Sequence, residues 1–135
     1  MMTRHQVLNP TDLAPARGFA HAVVAAGGTT VQLGGQAGHD SDGAIVSNDL
    51  VGQFDRAAAN VVTALDAAGG RPEHLVSIQI FTTDIDAYRS ALGDLSRIYR
   101  RHFGRHYPAI ALMGVTGLFD PAAKVELVCT AVIPD

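Results

Sequence analysis

The chain is 135 residues long, 47% hydrophobic and 17% charged, and carries 10 basic against 13 acidic side chains for a net charge of −3. That length holds one domain with a single core, and the apolar surplus is more than so small a body can hide, so copies of the chain are expected to cover part of it. The acidic balance argues against binding nucleic acid by phosphate neutralisation, the single cysteine excludes an internal disulfide, and no apolar run approaches the roughly 18 residues of a membrane span.

Met1 to Gly18 holds two prolines without periodicity and reads as an extended arm, polar at its start and unlike a secretion signal, so the expected location is cytoplasmic. Phe19 to Ala25 and Thr30 to Ala37 are strand-like, and Gly27-Gly28 between them predicts a hairpin. Gly34-Gly35 inside the second strand marks a bulge or the close approach of another backbone or a ligand. Asp40-Ser41-Asp42-Gly43 lacks the later ligands of a calcium loop and reads as a turn. From Asn48 to Ala68, Val51, Phe54, Ala58, Val61, Val62 and Leu65 recur at helical spacing, with Asn48 or Asp49 as cap and Gly69 as stop.

His74 to Asp84 alternates as a strand, so helix and strand in succession predict a parallel crossover. Tyr88, Leu92, Leu95, Tyr99 and Phe103 define a second helix capped by Asp84 or Asp86 and stopped by Gly104. Its basic end (Arg97, Arg100, Arg101, His102, Arg105 and His106) reads as a solvated helix terminus. Ala109 to Leu118 and Val125 to Ile133 then form an apolar strand pair expected at the sheet centre. Two amphipathic helices cover one sheet face while the strands are apolar on both, so the second cover is expected from other subunits.

One ionisable group stands inside the last strand. Glu126 alternates with Val128 and Thr130, opposite Val125, Leu127 and Cys129. Glu126 is a candidate general base, or else a carboxylate paired with an arginine. Cys129 reads as a small core hydrophobe and Met113 as filler. His39-Asp40, and His102 with His106, lack a third ligand, so no metal site is expected.

Gly18-Phe19-Ala20-His21-Ala22-Val23, Gly34-Gly35-Gln36, Asn60, Ala67-Ala68-Gly69, Val76 to Asp84, Tyr99 to Phe103, Tyr107-Pro108-Ala109 and Val125-Glu126 follow one another in a familiar order. In that order and spacing the chain resembles the RidA/YjgF family, the Rid family of reactive-intermediate deaminases. The resemblance implies an α+β, chorismate-mutase-like single domain over residues 1–135: a mixed five- to six-stranded sheet, two helices on one face, and assembly as a homotrimer. It also implies small-molecule pockets at the subunit interfaces, hydrolysis of imines or enamines, and no cofactor or metal. The implied pocket positions are Phe19, Gly34, Ile110, Ala111, Leu112 and Val128, with Glu126 as the catalytic candidate.

This chain departs from the family at that pocket. Ile110 follows Pro108-Ala109 where the family has an arginine that clamps a carboxylate. Phe19 lacks a tyrosine hydroxyl, Gly34 replaces a serine, Val128 a second glutamate and Ser96 an asparagine. Each change replaces a polar pocket group by an apolar or smaller one. The expected activity is therefore a divergent, deaminase-like hydrolysis of a small imine or enamine other than a simple 2-imino acid, the alternative being a non-catalytic trimeric binder of small molecules.

Overall fold

The computed structural model describes residues 3–25 and 27–135. Met1 and Met2 of the expected arm, and Ala26 beside the expected Gly27-Gly28 turn, lie outside the described residues. In chain order the strands are β1 (Gln6–Leu8), β2 (Ala22–Val24), β3 (Gly28–Gln32), β4 (Leu75–Thr82), β5 (Ala109–Gly114) and β6 (Val125–Pro134). The helices are α1 (Leu50–Ala67), α2 (Ile85–Ser90) and α3 (Leu92–Phe103), with a 3-10 turn at Pro72–His74.

The strands form a four-stranded sheet in the order β3-β6-β4-β5 and a separate β1-β2 ribbon. β6 runs antiparallel to β3 and to β4, while β4 and β5 are parallel. The helical segment α2–α3 therefore makes the parallel crossover between adjacent strands. Two sequence expectations are corrected. β2 pairs with β1, not with β3 in a hairpin, and β5 does not pair with β6, because β4 lies between them and β5 is the edge of the four-stranded sheet. The single sheet of five or six strands is accordingly divided. Glycines mark turns and alternation marks strands, but neither names a strand's partner.

α1 begins where the Asp49 carboxylate accepts the Gly52 N–H at 2.7 Å and ends before Gly69, whose φ of 82° suits glycine. The second helix is broken at Ala91, where φ is −105° and ψ is 12°. Its restart leaves Leu92 exposed and buries Ile98 beside Leu95, Tyr99 and Phe103. These side chains and the α1 face (Phe54, Ala57, Ala58, Val61 and Leu65) cover Val125, Leu127 and Cys129 of β6 and Ile78 and Ile80 of β4. Helices on one face and an open face opposite are thus the frame. The Asp40 turn forms as expected, its carboxylate accepting the N–H groups of Asp42 and Ala44, and Gly43 has a φ of 81°.

Candidate functional site

The strand register lays out the open face in rows. Glu126 stands beside Phe81 and Met113, Val128 beside Gln79 and Ala111, and Thr130 beside Ser77 and Ala109. Glu126, Val128 and Thr130 are half-buried, whereas Val125, Leu127 and Cys129 between them are fully buried under the helices. The alternation read from the sequence holds along this strand.

Beyond β3 the chain continues beside β6 with an irregularity. Gln32 is opposite Thr130, yet Gln36 is opposite Leu127, so one extra residue is accommodated across Gly34-Gly35. Paired hydrogen bonds of 2.8 Å between Gln36 and Leu127 close the bulge. A Cβ on Gly35 would stand 2.5 Å from Oε2 of Glu126, so any larger residue there would displace the end of that side chain. The Glu126 carboxylate thus lies against bare backbone, with the apolar Phe81 and Val128 as neighbours on its face. Among the described residues no donor hydrogen-bonds it and no cation pairs with it. Gly34 has open space where a side chain would be.

Ile110 and Leu112 point the other way. Ile110 is level with Ile78 and packs against the main core, and Leu112 is level with Ile80 and 38% exposed at the sheet edge. Phe19 reaches β5 from the arm, where the Ala20 N–H donates to the Pro108 carbonyl at 2.8 Å. A shallow cavity of about 260 Å³ there is lined by Phe19, His21, Gln79, Ile110 and Ala111 among others. Of the sequence-predicted positions, Glu126, Val128 and Ala111 share the open face with Gly34 at its margin, while Phe19, Ile110 and Ala111 meet at the β5 edge.

Other polar groups are committed elsewhere. The His21 ring donates to the Ala14 carbonyl at 2.7 Å and meets Phe19 edge to face at 5.1 Å. Burial pushes the Cys129 thiol up to about 12, which removes it as a nucleophile. Arg101 and His102 hold Asp55, and Arg97 pairs with Asp94, so the basic end of α3 is partly neutralised on its own surface. Among the described residues no three His, Cys, Asp or Glu side chains converge as metal ligands, and no helix is long and apolar enough to cross a membrane.

An α+β chain with two main helices on one side of a mixed sheet defines the class. Residues 10–133 match the Endoribonuclease L-PSP family, and the chain belongs to that family, the Rid or YjgF family of the resemblance. It is similar to the Rid-family protein YyfB of Yersinia pestis, of unknown function, at 27% identity over 97% of this chain and 100% of that one, with a TM-score of 0.87. RidA of the Antarctic bacterium Psychrobacter sp. PAMC 21119 is 26% identical over 93% and 98%, with a TM-score of 0.68. Protein HMF1 of Saccharomyces cerevisiae is 23% identical over 105 residues, 78% of this chain and 77% of the yeast protein.

Proposed function

We propose that this protein is a Rid-family hydrolase that acts on a small imine or enamine with an uncharged or aromatic body, using Glu126 as general base in pockets completed between subunits of a homotrimer. The observation that carries the reading is the Glu126 carboxylate: half-buried, unpaired among the described residues, and set against the Gly35 backbone on the face the helices leave open. A carboxylate held there without a partner is available to water.

The reaction follows from that placement. Glu126 takes a proton from water as its oxygen bonds to the imine carbon, and the C=N electron pair moves to nitrogen. The protonated glutamate returns the proton to nitrogen. Proton transfer from the new hydroxyl to the departing nitrogen then breaks the C–N bond, leaving a carbonyl compound and ammonia or an amine. An enamine enters after tautomerising to the imine. No cofactor is called for.

Substrate choice rests on the missing arginine: Ile110 stands at its place in the family pattern, and its side chain packs into the core on the face opposite Glu126. An isoleucine gives a carboxylate neither charge nor hydrogen bond, so 2-imino acids are not the preferred substrates. The family description names endoribonuclease activity; the pairing of Arg97, Arg101 and His102 with acidic neighbours weighs against it in this chain. The test uses imines generated in situ from neutral amines and, separately, from amino acids. Glu126→Gln should lower turnover of the neutral imines by about 10²–10⁴-fold while leaving the melting temperature and assembly unchanged. Undiminished turnover by that variant would sink the assignment of the base, and fast hydrolysis of 2-imino acids by the native protein would sink the substrate class.

A further inference from the structure

At the other end of the sheet lies a cavity of about 700 Å³, walled by the N-terminal arm and by the turn that leaves α3. Its lining includes His5 and Phe19 from the arm and Arg105, His106 and Tyr107 from the turn. This volume is within the range of about 300–1,000 Å³ usual for small-molecule sites.

The walls are tied down. Gly104, with a φ of 70°, stops α3 and turns the chain away. The Tyr99 hydroxyl donates to the His106 carbonyl at 2.6 Å, and the rings of Tyr99 and Tyr107 stack at 5.0 Å with 8° between their planes. His106 is buried and its Nε2 is 2.7 Å from the Leu75 carbonyl oxygen, so that nitrogen carries the proton and Nδ1 is an acceptor. Burial lowers the His106 pKa below the usual 6.5, which keeps the ring neutral. On the arm, Nε2 of the buried His5 donates to the Val132 carbonyl at 2.9 Å. Little ordering of His5, His106 and Tyr107 is left for a ligand to impose, and the exposed Arg105 side chain is the part a ligand would order.

Into this preformed space the turn brings a permanent cation. Arg105 forms no ion pair with a described residue, and Phe19 and Tyr107 supply aromatic surface. We propose that this cavity is a second ligand site, taking a small aromatic carboxylate whose anion pairs with the Arg105 guanidinium and whose ring packs against Phe19 and Tyr107. The site is separate from Glu126 within one chain. The His106 ring anchors at Leu75, at the start of β4, whereas Glu126 faces Phe81 near its end, a span of about 20 Å at strand rise.

The test titrates the intact protein with benzoate, with 1-naphthoate and with the neutral isostere benzyl alcohol, followed by backbone amide shifts. Expected are shifts at residues 19 and 105–107 with both acids, and binding weaker by about tenfold or more for benzyl alcohol and for Arg105→Met. Glu126→Gln should bind benzoate unchanged, so failure here is distinguishable from failure of the hydrolase reading. The proposal is overturned if Arg105→Met binds benzoate as well as the native protein does, if the shifts gather on the Glu126 face, or if the acids produce none. It is equally overturned if Arg105→Met changes the sedimenting mass, because the cavity would then be a subunit contact.

Discussion

Two glycines of this sheet would meet an added methyl group very differently. At Gly28 a Cβ would lie 2.0 Å from the Ile133 carbonyl oxygen, a backbone atom of the neighbouring strand that cannot yield without moving β6. At Gly35 the obstacle is the end of the flexible Glu126 side chain. Gly28→Ala should therefore destabilise the fold by more than about 2 kcal/mol in urea denaturation. Gly35→Ala should cost less than about 1 kcal/mol yet push the carboxylate aside and reduce imine turnover at least tenfold. Equal stability losses in both variants would contradict the distinction. The sequence offered a bulge or the close approach of a backbone or ligand at Gly34-Gly35 as alternatives; the bulge is realised, and what comes close is a side chain. Which side chain comes close was not legible, because Glu126 arrives from a strand far along the chain.

Between helices the most pointed polar contact is Asp55 of α1, which accepts from His102 and Arg101 of α3. The hydrogen bond from His102 is the main cause that holds its pKa below the ordinary 3.8, with the Arg101 hydrogen bond adding to it against partial burial. A carboxyl group depressed in the folded state contributes stability above its unfolded pKa and loses it as pH falls through the folded value. With 42% of the side chain exposed, solvent screening limits the contribution to less than about 1 kcal/mol. Asp55→Asn should lower the unfolding free energy obtained from urea denaturation at pH 7 by that small amount, and the two proteins should converge as pH drops below 3.8. A difference that persists at low pH would mean that the packing of the pair, not its charge, holds the helices. This element scale is where the sequence was most legible, since α1 and β4 follow periodicities set by near neighbours. The break at Ala91 was missed because Leu92 kept the helical spacing across it, and the partners of β2 and β5 were missed because pairing is fixed by distant segments. The Arg105 cavity was equally illegible: it exists only after the arm folds back onto the turn.

For the whole molecule, the uncovered surface carries the argument. Leu112 is 38% exposed on the edge strand, Val24 lies half exposed on the ribbon, and Phe81, Val128 and Met113 are only partly covered on the open face. An apolar edge strand of this kind invites pairing with another chain. Sedimentation should give three times the 14.1 kDa chain mass, and Leu112→Lys should shift it toward one while the helical circular dichroism stays unchanged. A monomeric native protein at micromolar concentration would rule out the inter-subunit pockets. The arm leads to a different kind of consequence. The core cluster begins at Leu50, with Val31 and Leu33 at its margin, and draws no side chain from residues 3–25, although that segment supplies His5 and Phe19 to the cavities. On the arm's side of the Arg105 cavity, ligand contacts are thereby made by residues outside the core cluster. Substitutions at its less buried lining positions, such as Val7 and Phe19, can be sampled for new ligands at less risk to the fold than changes at the buried His5 or Ala20, so specificity can drift there faster than architecture.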